Sequence, residues 1–145
     1  MRKYLFIGCG GFLGAVLRYL IRSLPAGSSG VPLATLAVNV TGAFLMALIL
    51  TAACDEFLSV DPDVRLGVTT GLLGAFTTFS TLCRETVGLL RSGNLSAALA
   101  YVALSVLLGL GAAGAGAALV RRLGHRARAA RANPPDEPSG ESDVG

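Results

Sequence analysis

Charged residues are scarce in this 145-residue chain, where they make up 14% of the sequence. A typical soluble domain carries about 25%. Tryptophan is absent, whereas hydrophobic residues supply 52% of the chain and glycine contributes 19 residues. So little charge suggests that much of the surface faces lipid, and abundant glycine allows membrane helices to approach one another closely. The composition therefore indicates an integral membrane protein.

Residues suited to metal binding or covalent chemistry are few and isolated. Cys9, Cys54 and Cys83 are odd in number, far apart and lack a CxxC spacing, which argues against a disulfide framework and a zinc site. His125 is the single histidine, and no catalytic triad or activated nucleophile is visible. We therefore do not expect an enzyme.

The basic residues are concentrated near the C-terminal end. Five of the twelve follow a long apolar run, the usual position of a juxtamembrane anchor, and no aromatic residues are interleaved with them. This arrangement predicts contact with membrane lipid and no nucleic-acid partner. The five are Arg121, Arg122, Arg126, Arg128 and Arg131.

Four apolar segments approach or exceed the roughly 20 residues that a helix needs to cross a bilayer core of about 30 Å. They cover residues 4–24, 33–53, 64–90 and 95–120. We therefore predict a four-helix transmembrane domain over residues 1–120. A tail over residues 121–145 is predicted to be disordered and cytoplasmic, first basic and then acidic and proline-rich.

An even number of spans places both termini on one side of the membrane. Eight basic residues fall on that side and about three on the other, so the positive-inside rule predicts cytoplasmic termini. The eight are Arg2, Lys3, Arg65, Arg121, Arg122, Arg126, Arg128 and Arg131.

Polar residues within the spans are functional candidates because each is costly in lipid. Asn39 lies near the centre of the second span, where its amide either bonds a neighbouring helix or donates to a permeating anion. Arg18, Arg84 and Glu85 are expected to face a vestibule or the membrane interface. The last span places Tyr101 and Ser105 four residues apart on one face, either as a polar track or as bonds to another helix.

The third span combines glycines with a run of threonine and serine, and both features weaken a helix. We predict a break within residues 71–77. A continuous helix whose threonine hydroxyls bond back to the preceding turn is the alternative. A break at membrane depth is tolerated only where it is buried in protein or lines a cavity, and there it exposes carbonyls and N–H groups to ions.

Three segments together resemble the motifs of one family. Residues 10–19 read GGFLGAVLRY, residues 35–44 read TLAVNVTGAF and residues 71–81 read GLLGAFTTFST. In this order and spacing they are similar to the first three helices of the Fluc (CrcB-type) fluoride ion channels. The resemblance extends over all four spans and leaves only the tail after about residue 120 outside it.

The resemblance implies an all-α fold with a broken third helix and an antiparallel, dual-topology dimer. It also implies a channel that exports fluoride passively from the cytoplasm and protects the cell from fluoride toxicity. A structural sodium ion, Na+, would be held by the backbone carbonyls of Gly74 and Thr77. The fluoride pathway would include Arg18, Asn39, Phe79, Ser80, Thr81, Glu85, Tyr101 and Ser105.

One position departs from the family pattern. The second phenylalanine of the third-helix motif is replaced by Leu82, so a dimer of this chain with itself lacks that ring in both pores. An inverted homodimer also requires a weak charge bias, whereas this sequence has a strong one. We therefore expect a homologous second subunit of opposite orientation in preference to a homodimer.

A small proton-coupled multidrug transporter subunit is the alternative function, because such proteins are also four-helix membrane proteins. They need a carboxylate within the first helix, and the first span contains none. A purely structural membrane subunit is a third possibility, and the polar third span argues against it.

Overall fold

The structure is a computed structural model that describes residues 1–23, 32–54 and 60–132. The elements in these ranges are all helical. They are α1 (Arg2–Ser23), α2 (Leu33–Cys54), α3 (Pro62–Leu66), a π-helical segment (Gly67–Leu73), α4 (Gly74–Phe76), α5 (Phe79–Arg91) and α6 (Leu95–Ala132). Four stretches are long and apolar enough to cross a membrane, which confirms the predicted count. They are α1, α2, the run Pro62–Arg91 and α6 as far as His125.

The last helix is longer than predicted. α6 has 38 residues, about 57 Å at 1.5 Å per residue, which exceeds a bilayer core of about 30 Å. Residues 121–132 therefore belong to the helix, and their assignment to a disordered tail was wrong. Residues 133–145, the acidic and proline-rich remainder of that predicted tail, lie outside the described residues.

The third span begins with a capped turn. Asp61 caps α3 by accepting a hydrogen bond from the Asp63 N–H at 2.8 Å, and this bond lowers the pKa of the Asp61 carboxyl. Pro62 occupies the start of the helix, where its missing N–H has no helical acceptor. Arg2 lies 3.2 Å from Asp61 and 3.8 Å from Asp63, so the N-terminus and the start of this span share one side. These pairs are exposed and contribute little stability.

The helical path is interrupted between α4 and α5. Thr77 has φ −74° and ψ 155°, and Thr78 has φ −150° and ψ 114°, so both residues are extended. Thr77 is the last residue of the stretch 71–77 for which we predicted a break, and Thr78 is the residue that follows that stretch. The glycines of that stretch, Gly71 and Gly74, are themselves helical.

Glycines allow α1 to pack directly on the backbone of the π-helical segment. A methyl group at Gly10 would collide with the Gly67 carbonyl oxygen, and one at Gly14 with that of Leu72. A methyl group at Gly71 would lie 2.6 Å from the carbonyl oxygen of Ile7. The small residues therefore act in packing, as expected for helices that associate in lipid.

Candidate functional site

A side chain of α2 holds the interruption in the third span. Asn39 Oδ1 accepts a hydrogen bond from the Thr78 N–H at 2.8 Å, and Asn39 Nδ2 donates to the Thr78 carbonyl at 3.1 Å. We call this pair of bonds the Asn39 clamp. It satisfies the N–H of Thr78, which has no helical partner because this residue is extended, and it also donates to the Thr78 C=O. Of the two uses considered for this amide, bonding a neighbouring helix is therefore the one observed within the chain.

Thr78 also caps the helix that follows. Its hydroxyl oxygen accepts a hydrogen bond from the Thr81 N–H at 3.3 Å, as serine and threonine commonly do at a helix start. The same hydroxyl donates to the Thr81 hydroxyl at 3.0 Å and lies 3.3 Å from the Ser80 hydroxyl. Two predicted pathway residues, Ser80 and Thr81, are thus gathered around Thr78.

Phe79 is the first residue of α5, and its side chain is 77% exposed. It borders an open cavity of about 350 Å³ next to the Asn39 clamp. Gly42 also lines this cavity, and a methyl group there would collide with the side chain of Thr77. Asn39 and Phe79, predicted from separate motifs to line one path, therefore share one cavity.

A second polar group, the Glu85 cluster, joins α5 to α2 and α6. The Thr35 hydroxyl donates to Glu85 Oε1 at 3.0 Å, and the Tyr101 hydroxyl donates to Oε2 at 2.8 Å. Thr35 and Tyr101 are almost completely buried. Ser105, predicted to extend this track, donates its hydroxyl to the Tyr101 carbonyl at 2.7 Å, which is a bond within its own helix.

Three arginines line an open cavity of about 440 Å³ between the end of α1 and α5. Arg18 donates to the Thr77 carbonyl at 3.4 Å, which links it to the interruption. Arg22 Nη2 lies 3.7 Å from Glu85 Oε1, which links it to the Glu85 cluster. Arg84 is the third lining arginine, and we refer to the space as the arginine cavity.

The carbonyl of Gly74 has lost its usual helical donor. In an uninterrupted helix the Thr78 N–H would donate to Gly74, but here that N–H is held by Asn39. The Thr77 carbonyl also lies at the interruption, between the two extended residues Thr77 and Thr78. The two backbone oxygens predicted to bind a cation therefore both lie at the interruption. The Thr77 oxygen also accepts a hydrogen bond from Arg18.

A protein-family model described as CrcB-like protein, Camphor Resistance (CrcB), matches residues 5–117. The chain belongs to this family. The matched range includes every residue of the site described above. The family prediction made from the three motifs is therefore confirmed.

Curated relatives of the chain are named as fluoride-specific ion channels. The chain is 46% identical over 111 residues to the "Fluoride-specific ion channel FluC" of Chlorobaculum tepidum, covering 76% of this chain and 87% of that protein. It is 44% identical over 112 residues to the protein of the same name from Thermus thermophilus, covering 76% and 88%. The relative from Anaeromyxobacter dehalogenans is 43% identical over 125 residues and covers 85% and 98%.

Membership of the CrcB family, together with four apolar helices, establishes a multi-pass membrane protein. The relatives are named as ion channels, so the family is not one of enzymes.

Three residues of this CrcB site were not singled out as site residues from the sequence. Thr78 belonged to the predicted hydroxyl cluster, and its position just before a helix start was the available signal for a capping role. Thr35 fell inside a quoted motif without a role. Arg22 was among the roughly three basic residues counted on the side opposite the termini, and it was given no role in the site. Its spacing of four residues from Arg18 was the available signal that both share one face.

Proposed function

We propose that this CrcB-family chain is a subunit of a fluoride channel that conducts the ion passively out of the cytoplasm. The observation that carries the proposal is 46% identity to a fluoride-specific channel over 87% of that protein's length. The polar groups described above support it, because Asn39, Ser80 and Thr81 cluster at the interruption. Glu85 follows farther along α5 and accepts a hydrogen bond from Tyr101 of α6. The multidrug alternative has no support, since α1 contains no carboxylate.

The chemistry of the site suits a small anion. Fluoride is strongly hydrated, so it enters a pore only where fixed donors replace its water. The Asn39 amide carries two N–H groups and the clamp uses one, which leaves the other to donate to the ion. The edge of the exposed Phe79 ring carries partial positive charge and faces an anion favourably without binding it tightly.

The proposed structural sodium ion fits the donor set at the interruption. Sodium is a hard cation that favours oxygen ligands, and the Gly74 and Thr77 carbonyls supply them without adding a negative charge. When bound, the ion would tie together the ends of α4 and α5. Arg18 of α1 donates to the Thr77 oxygen, which has two lone pairs and could therefore also serve as a ligand of the ion.

An antiparallel, dual-topology dimer completes the proposal. Phe79 and Gly74 are both exposed in a single subunit, although they lie well inside the third span, and a second subunit would cover them. We favour a homologous partner because Leu82 replaces the second phenylalanine and the basic residues favour one orientation. Relatives with the numbered names FluC 1 and FluC 2 support paired chains.

Fluoride efflux from liposomes tests the proposed activity. Vesicles loaded with potassium fluoride and containing the chain together with its proposed partner subunit should release fluoride when valinomycin sets the potential, and a fluoride electrode records the release. We expect no requirement for ATP or for a proton gradient, because a channel follows the electrochemical gradient. Vesicles loaded with potassium chloride serve as the matched control, and chloride release at a comparable rate would contradict the proposal.

Expression of the chain by itself tests the proposed partner. We expect purified protein that conducts little or no fluoride alone and gains flux when co-expressed with a homologue that has phenylalanine at both motif positions. Size-exclusion chromatography and efflux are measured on both samples. A stable dimer of this chain alone with full fluoride flux would exclude the need for a second kind of subunit.

A further inference from the structure

Glu85 is an acidic side chain that lies where the proposed function requires an anion to pass. Its side chain is 18% exposed, and both carboxylate oxygens accept hydrogen bonds from buried hydroxyls of Thr35 and Tyr101. An ionised carboxylate there repels fluoride, since like charges a few ångströms apart in a partly buried site interact strongly. The proposed function therefore requires a compensating positive charge close to this side chain.

Arg22 supplies that charge. Its Nη2 atom lies 3.7 Å from Glu85 Oε1, and its side chain is 34% exposed, so solvent screens the pair only in part. The neighbouring arginines are placed differently. Arg18 donates to the Thr77 carbonyl, and Arg84 takes part in none of the ion pairs found among the described residues.

We propose that Arg22 is a positioning residue of the conduction path, which neutralises Glu85 and holds its carboxylate against Thr35 and Tyr101. The inference rests on the proposed fluoride conduction. The Arg22 guanidinium approaches the same oxygen that accepts from Thr35, so it adds a third fixed contact to the carboxylate. Without Arg22, Glu85 keeps its two hydroxyl donors but presents an uncompensated negative charge to the incoming ion.

Five variants test the role of Arg22, each measured for fluoride efflux in the preparation in which the wild-type chain conducts. Arg22→Gln should slow efflux roughly tenfold, because a unit charge near the ion path is then unbalanced. Arg22→Lys should recover most of the flux, since an ammonium restores the charge. Arg84→Gln is the matched control, because it removes an equal charge from the same cavity without removing the ion pair to Glu85, and its effect should be much smaller.

A double-mutant cycle provides the fourth and fifth variants, Glu85→Gln and its combination with Arg22→Gln, and identifies the partner of Arg22. Adding Arg22→Gln to Glu85→Gln should change flux by less than about twofold relative to Glu85→Gln alone, because no carboxylate remains to be balanced. An equal loss in both backgrounds would overturn the inference. Equal losses for Arg22→Gln and Arg84→Gln would overturn it too, since they would indicate a general effect of cavity charge.

Three further outcomes complete the test, and the last two separate the inference from the proposed function. If Glu85→Gln conducts no fluoride by itself, the double-mutant cycle gives no comparison, and the test of charge then rests on Arg22→Lys. Fluoride efflux through Arg22→Lys that is as slow as efflux through Arg22→Gln would overturn the role of charge. If the wild-type chain conducts no fluoride in any preparation, the proposed function fails and the inference fails with it. If the wild-type chain conducts fluoride and Arg22→Gln conducts it equally fast, the inference fails and the proposed function stands.

Discussion

Replacement of Asn39 by aspartate is expected to abolish fluoride flux. The aspartate keeps an oxygen for the Thr78 N–H but sets a second oxygen against the Thr78 carbonyl, where Asn39 now donates at 3.1 Å. It also places a negative charge beside the cavity that Phe79 borders. Because an unpaired charge at this depth costs several kcal/mol, we expect a loss of about 100-fold or more in efflux rate.

Asn39→Ala is the comparison that separates the charge from the clamp. Alanine removes both bonds to Thr78 and adds no charge, so its efflux should exceed that of the aspartate variant while remaining below the wild-type rate. Size-exclusion chromatography verifies that both variants assemble. Wild-type efflux from a well-assembled aspartate variant would remove Asn39 from the conduction path.

Gly14→Ala is expected to destabilise the folded protein more than alanine at Gly8 or Gly11 of the same helix. The new methyl group would collide with the Leu72 carbonyl oxygen and lie 3.0 Å from the Phe76 nitrogen. Backbone atoms do not move aside as a flexible side chain does, so we expect a cost of about 3 kcal/mol, at the upper end of ordinary overpacking. Thermal unfolding in detergent, followed by size-exclusion chromatography, measures the loss.

Gly8→Ala provides the matched control on the same helix. A methyl group there has no atom within 4 Å, so its melting temperature should stay close to that of the wild type. Equal melting temperatures for the two variants would show that α1 does not pack on the π-helical segment in this way. Because that segment leads directly into α4 and the Asn39 clamp, Gly14→Ala should also reduce fluoride flux.

The spans were predictable because apolar length is a property of each segment alone. The first three predicted spans start and end close to the structural elements. We ended the last helix too early because residues 121–132 were assigned to a tail on the basis of their positive charge. Their arginine, alanine and leucine residues are strong helix formers, and propensity continues the helix to Ala132.

The contacts that bring the site residues together were only partly predictable from the sequence. Polarity within apolar spans and the family resemblance identified Asn39, Glu85 and Tyr101. The hydrogen bond from Asn39 to the backbone of Thr78 depends on how α2 lies against the interruption. No spacing in the sequence encodes that contact between separate helices. The same holds for the approach of Arg22 to Glu85, which joins residues 63 positions apart.

The Asn39 clamp has a consequence for the order of events during biogenesis. Extended residues at membrane depth normally require donors and acceptors from elsewhere, since lipid supplies neither. Here the side-chain amide of Asn39 takes the place of a neighbouring peptide group, because it accepts from the N–H and donates to the C=O of Thr78. Each chain therefore satisfies its own Thr78 backbone groups as it folds in the bilayer, before it meets another subunit.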